Sequence, residues 1–261
     1  MQGPIERLVH WAQTRPDVPA WLNTHTRVSY AALLQGVQAR AGSLYQAGVR
    51  PGDTVALGLD KDTDDHVRQV EVLYAIAYLG ATILPLYPEV SLDRRGPLSD
   101  LMGAQWLVSA PLPGTASRVR VIDPVSANFP ATHAAPPRGD HPERPFLYEF
   151  TSGTTGNPKA MCATGTQYTA MRMSAAPLWG WQDDDVMMPA LPWPSKVGIR
   201  GLVRALLLGA TFANLQFPET RHDLATLVER FGVSFIDSSP WQLRRLLASA
   251  PSSSRCACWG R

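Results

Sequence analysis

The chain has 261 residues, of which 45% are hydrophobic and 18% charged, and its formal net charge is +2. That composition describes a folded chain with a sizeable core, and the near-neutral balance excludes a broad electrostatic attraction to nucleic acid or to an anionic membrane surface. No apolar run approaches the roughly 18 residues that would span a bilayer, Glu6, Arg7 and His10 replace the apolar core of a secretory leader, and three cysteines make no disulfide framework; the expectation is a cytoplasmic protein.

Helical and strand patterns alternate along the chain. Ile5, Leu8, Val9 and Ala12 share one face of a predicted first helix over 4–12. Ser29 is placed to cap a helix with Leu33, Leu34, Val37, Ala41 and Leu44 inward and Gly48 as its stop. A turn at Pro51-Gly52-Asp53 leads to a short strand over 54–57. Helix spacing resumes from Val67 to Tyr78, with Gly80 as the stop, and the apolar run 81–86 reads as a buried strand. A helix over 92–102 capped by Ser91 and strands over 105–109 and 118–122 follow. Residues 124–145 hold six prolines and no periodicity, which predicts a surface linker.

Beyond the linker, strands are predicted over 146–151, 186–189, 211–215 and 233–236. Helices are predicted over 165–178, 200–208 and 224–231, and a last one opens at Ser239-Pro240 as N-cap and N1 proline. This alternation implies α/β layers around a largely parallel sheet. The tail 251–261 breaks the style of what precedes it: Ser252-Ser253-Ser254 is followed by Cys256, Cys258 and Trp259.

One segment carries chemistry. The strand over 146–151 runs into Thr151-Ser152-Gly153-Thr154-Thr155-Gly156-Asn157-Pro158-Lys159. The glycines let backbone N–H groups approach an anion and adopt positive φ, and successive N–H groups form an anion-binding concavity. The hydroxyls of Thr151, Ser152, Thr154 and Thr155 can donate to phosphate oxygens, and Lys159 adds a point charge. A Walker loop needs glycine before its lysine and Ser or Thr after it; here Pro158 and Ala160 stand there.

The nine-residue string resembles the phosphate-loop signature of the adenylate-forming superfamily, which includes acyl-CoA synthetases, nonribosomal-peptide adenylation domains and luciferases. Four further stretches agree in order: Val28 to Leu33, Gly48 to Val55, Tyr78 to Leu86 with its Gly80-Ala81 and Pro85-Leu86, and Leu191 to Gly198. The resemblance implies the N-terminal part of a large α/β domain, two βα-layered subdomains over 1–250 that are incomplete at the C-terminal end, with 251–261 an atypical tail. It implies ATP-dependent activation of a carboxylic acid as an acyl-adenylate, followed by transfer to a thiol of CoA or of a carrier protein. Thr151, Ser152, Gly153, Thr154, Thr155 and Gly156 would grip the β- and γ-phosphates, Lys159 would assist catalysis, and Mg²⁺ would sit on the phosphates. Trp193 and Ser195 would belong to the substrate-binding segment.

The chain departs from that pattern in three places. Ala160 stands where the family usually has glycine, and Ser195 stands at the acyl-site histidine, with Lys196 beside it as an alternative charge. The family's Tyr-Gly-x-Thr-Glu segment, ribose-binding Asp and lid lysine find no match. A frame lost near Ala250 would account for the tail, and a catalytically inactive piece that keeps the polyphosphate loop is the alternative to a working ligase. Other signals are weaker. Asp183-Asp184-Asp185 reads as a solvated turn rather than a metal cluster, and Cys162 as a small buried residue in a strand. Cys256 and Cys258 lack a partner pair at zinc spacing. Trp179, Trp181 and Trp193 fit either an acyl pocket or core packing.

Overall fold

The computed structural model describes residues 2–61, 65–114, 117–124, 135–151, 159–191, 193–218 and 220–248, with Thr151 and Lys159 described as backbone only. The elements in chain order are α1 (Pro4–Thr14), β1 (Pro19–Leu22), β2 (Arg27–Ser29), α2 (Tyr30–Ala47), β3 (Thr54–Gly58), α3 (His66–Tyr78), β4 (Thr82–Leu86), α4 (Leu92–Leu101), β5 (Trp106–Val108) and β6 (Arg120–Ile122). The second half adds β7 (Pro145–Thr151), β8 (Lys159–Thr164), α5 (Gly165–Met173), α6 (Ala176–Trp179), β9 (Val186–Pro189), α7 (Lys196–Leu208), β10 (Thr211–Ala213), α8 (Arg221–Phe231), β11 (Phe235–Asp237) and α9 (Pro240–Ala248).

The strands form two sheets, ordered β11-β9-β10-β1-β2 and β6-β5-β3-β4-β7-β8. All pairings are parallel except β1 with β2 and β7 with β8. Strands β3 and β4 read as unbroken apolar runs because helices cover both faces of their sheet. The sequence-predicted α/β layering with a mostly parallel arrangement is therefore observed. One shared core joins the sheets. In it Leu33, Val37 and Leu44 of α2, Leu73 and Ile76 of α3, and Leu202 and Leu206 of α7 are all buried.

Local signals explain most boundaries. The Ser29 hydroxyl accepts the Ala32 N–H and starts α2, which ends at a left-handed Gly48. Helices α7 and α8 end in the same way at Gly209 and Gly232. The expected helix over 165–178 is split: α5 stops after Met173, and α6 begins at Ala176 with Pro177 in its first turn. A proline is at home in a first turn and breaks a helix interior. Helix α7 starts four residues earlier than predicted, because Ser195 caps it. Cys162 lies in strand β8 as expected but is half-buried, and burial pushes its thiol up to about 11.

The described part of the proline-rich linker, residues 135–144, is pinned to the turn between α3 and β4. The Gly139 N–H donates to the Tyr78 carbonyl at 3.0 Å, and the Gly52 N–H donates to the Gly80 carbonyl at 2.9 Å. Gly80 has φ +74°, and a Cβ placed there would lie 2.1 Å from the Gly139 carbonyl oxygen. A second tie crosses from α2 to the other sheet, where the buried Tyr30 hydroxyl donates to the Ala210 carbonyl at 2.8 Å.

Gly80→Ala is expected to cost roughly 2 kcal/mol or more, from left-handed strain plus the backbone clash. Gly103→Ala, at φ +70° with no atom within 4 Å of the new Cβ, should cost only about 1 kcal/mol. Urea melts of the two variants check this; equal losses would mean that the linker is not seated on Gly80. Tyr30→Phe should cost about 1–2 kcal/mol in the same assay by leaving the Ala210 carbonyl without its partner.

Candidate functional site

The hydroxyl- and glycine-rich segment lies between the two strands of an antiparallel hairpin. Phe150 pairs with Ala160 and Thr151 with Lys159, so the ends of the segment face each other across one rung of the ladder. Residues 152–158, which include Ser152, Gly153, Thr154, Thr155 and Gly156, lie outside the described residues. What is described is the frame that carries them: β7 sits beside the fully buried β4, and β8 forms the edge of the six-stranded sheet. An antiparallel edge hairpin projects its loop past the end of the sheet while the ladder fixes both ends of it.

Helix α7 abuts this frame from the other sheet. The Ser195 side chain accepts the Gly198 N–H at 2.9 Å, so the residue at the expected acyl-site position is the N-cap of the helix. Lys196, the first helical residue, donates from Nζ to the Phe150 carbonyl. One turn later Arg200 meets Glu149 with both arms of its guanidinium, Nε donating to Oε1 at 2.9 Å and an Nη donating to Oε2.

Glu149 is only 3% exposed. Burial on its own raises a carboxyl pKa, but the hydrogen bonds and charge of Arg200, with Arg172 adding to them, outweigh burial and hold Glu149 below its ordinary value. Arg200 moves the opposite way, raised by the same pair. Lys196 is lowered, first by burial and then by the charge of Arg200, with Arg172 contributing and Glu149 opposing. Tyr168 of α5 and Tyr87 beyond β4 border the same cluster. Burial raises both phenols, and the charge of Glu149 raises them further. A carboxylate held ionised among Arg200, Arg172 and Lys196 thus lies next to the strand end that leads into the loop.

Trp193 is buried, at 2% exposed, between the two sheets. Its indole N–H donates to Gln69 Oε1 at 3.0 Å, its backbone N–H donates to Asn214 Oδ1 at 2.8 Å, and its ring meets Trp21 edge-on at 6.3 Å. The other two tryptophans divide: Trp181 is buried against Phe235 and lies under the Arg204 guanidinium, whereas Trp179 is 66% exposed. Of the acidic triplet, Asp183 pairs with Arg15 at 3.1 Å, and Asp185 accepts from the Ser234 hydroxyl and the Gln182 N–H, as a turn would.

The Glu149–Arg200 pair was not legible in the sequence. The residues stand 51 positions apart on different elements, and neither carries a motif. The one available signal was a charged residue inside an otherwise apolar strand, which burial permits only with a partner.

Comparison with known proteins agrees with the fold. The sequence profile of the AMP-binding enzyme family matches residues 8–257. Enterobactin synthase component F of Escherichia coli (strain K12) is 27% identical over 256 residues, which is 95% of this chain and 19% of that protein. Phenyloxazoline synthase MbtB of Mycobacterium sp. (strain MCS) is 32% identical over 157 residues, 57% of this chain and 12% of that protein. Among solved structures, o-succinylbenzoate CoA synthetase (MenE) from Bacillus subtilis in complex with the acyl-adenylate intermediate OSB-AMP superposes with a TM-score of 0.77 at 24% identity, covering 98% of this chain and 67% of that one. The Klebsiella oxytoca NpsA N-terminal subdomain superposes with a TM-score of 0.74 at 21% identity, covering 90% and 60%. The chain therefore spans less than a fifth of the two multidomain synthases and about two thirds of those two structures. With the profile matched over almost its whole length, this chain belongs to the AMP-binding enzyme family.

Proposed function

We propose that this chain forms the polyphosphate-holding part of an ATP-dependent carboxylate-activating site. The observation that carries the reading is the hairpin: the Thr151-to-Lys159 string is closed at its base by the Thr151–Lys159 rung, at the edge of a sheet covered by helices. A Gly- and hydroxyl-rich sequence between two paired strand ends has the backbone N–H groups and hydroxyls that the β- and γ-phosphates of ATP require. In this reading Thr151 through Gly156 bind the phosphates and Lys159 neutralises their charge. Mg²⁺ arrives on the phosphate oxygens, which supply most of its ligands.

The chemistry that needs such a site is the approach of a carboxylate oxygen to the α-phosphorus, two groups that repel each other. The protein's task is to position them and cancel charge. The acceptor that follows is a thiol, of CoA or of a carrier protein, in keeping with the family. Ser195 and Trp193 hold the segment that would border the acid: the first caps α7, and the second anchors it in the core. The family domain occupies residues 1–250 in this reading. A second reading, a catalytically inactive piece that keeps the polyphosphate loop, is favoured by Ala160 after the lysine and Ser195 at the acyl-site position, both departures from the family pattern.

Titration calorimetry with Mg·ATP and with Mg·pyrophosphate tests the shared part of both readings. Saturable binding is expected, and Lys159→Ala should weaken it about tenfold, the loss of one charge-assisted hydrogen bond. No binding, or equal binding by the variant, would overturn the polyphosphate assignment. Carboxylate-dependent exchange of pyrophosphate into ATP then separates the two: exchange above the Lys159→Ala level establishes activation, and binding without exchange establishes the inactive piece.

A further inference from the structure

Lys196 and Arg200 stand four residues apart, so they project from one face of α7. They engage consecutive residues of β7: Lys196 donates to the Phe150 carbonyl, and Arg200 forks onto the Glu149 carboxylate. Two contacts on adjacent residues fix the twist of a strand as well as its distance from the helix. The next residue, Thr151, is paired to Lys159 and closes the base of the loop. The same helix begins at Ser195, whose segment is anchored by Trp193 to Gln69 of α3 and to Asn214 beyond β10.

The geometry points to an ionic latch: Arg200 and Glu149, with Lys196 beside them, hold the leading strand of the phosphate loop against α7, so that the loop and the Ser195 segment keep one fixed relation. Both residues of the pair are then positioning residues for a polyphosphate, which rests on the reading proposed above. The pair suits that task because it cannot be opened cheaply. Glu149 is 3% exposed, and a buried carboxylate that loses its guanidinium stays charged without a partner. Tyr168 and Arg172 of α5 and Tyr87 beyond β4 face the pair from the other sides. The carboxylate end of the pair is thus enclosed, while the Arg200 side chain stays 33% exposed. An ordinary surface ion pair has two exposed partners and little consequence; here one partner is buried and the other sits on the helix that crosses between the sheets.

Amide hydrogen exchange read by mass spectrometry on the 261-residue chain tests the latch without any ligand. Arg200→Ala should speed exchange in peptides covering 145–164 by about tenfold or more, while amides of α2 and β3 stay at wild-type rates. Arg200→Lys, which keeps the charge and loses the fork, should recover part of the protection. Glu149→Gln keeps the shape of the site and guards against a variant that fails to fold; it should loosen the same segment by a smaller factor. Unchanged exchange in 145–164, or equal acceleration throughout the chain, overturns the latch. Calorimetry with Mg·ATP then tests the positioning role, with Arg200→Ala expected to bind at least about tenfold more weakly than wild type. Equal affinity beside raised local exchange overturns that role. Absence of Mg·ATP binding by the wild type overturns the polyphosphate reading, and the exchange result decides the latch by itself.

Discussion

The arrangement of the hairpin base, where Thr151 pairs with Lys159, depends on how α7 is held between two sheets. The helix is apolar enough to be swallowed by the shared core, with Ile199, Leu202, Val203, Leu206 and Leu207 all buried. Its charged residues are therefore confined to one margin, where Lys196, Arg200 and Arg204 find partners on β7 and β11. Arg204 pairs with Asp237 at 2.5 Å and lies over Trp181. One face of α7 thus supplies the hydrophobic contact between the halves of the fold, and its margin supplies the directional contacts that set their register. Hydrophobic burial carries most of the free energy but has no direction; the ion pairs carry less and select one arrangement.

The same division of labour recurs in the other sheet. Arg95 of α4 is 2% exposed and divides its guanidinium among four partners, donating to the carbonyls of Val90 and Leu59, to the Ser109 hydroxyl and to Asp60. Leu59, Asp60 and Ser109 sit just past the C-terminal ends of β3 and β5, where the chain's crossovers diverge, β3 leading to β4 on one side and β5 to β6 on the other. Gly58 makes this possible, since a Cβ there would stand 2.6 Å from an Arg95 Nη. In α/β sheets such a divergence opens a crevice, and this chain has a cavity there, lined by Leu57, Gly58, Asp60, Val108 and Ser109, with Arg95 bonded to two of the lining residues, Asp60 and Ser109.

Much of this architecture was legible because the chain punctuates its helices with unambiguous residues. Ser29 before α2 acts through a local side-chain hydrogen bond, and Gly48, Gly209 and Gly232 after α2, α7 and α8 through left-handed backbone, so these signals lie within a few residues of the boundary they set. The family was legible for a different reason: the nine-residue string from Thr151 to Lys159 resembles a signature, and the family match over residues 8–257 agrees with that resemblance. What was not legible depends on distance in sequence. Strand β1 has only four residues and acquires its identity from pairing with β10, about 190 positions away. Strand β8 follows the loop as a hairpin partner whose outward residues, such as Met161, are exposed, so its pattern is weak. The linker reads as structureless from its prolines, yet Gly139 is seated on the turn at Gly80 by contacts that only a folded chain creates.

Ser195 shows how a local role can account for a residue that a family pattern marks as anomalous. Where the related segment carries histidine, this chain has a residue that starts a helix well. Its Oγ accepts the Gly198 N–H, satisfying one of the donors that every helix start leaves over, and serine ranks among the best caps. The cap fixes the first turn of α7 and therefore the direction from which Lys196 and Arg200 reach β7. A histidine ring at this position would leave that N–H without the hydroxyl and would fill the space beside the hairpin. Serine at this position thus has a structural role of its own, as the cap that fixes the start of α7. Glu149, in the strand that ends at Thr151, adds to the support of α7, since it gives Arg200 a buried anchor beside the paired ends Thr151 and Lys159.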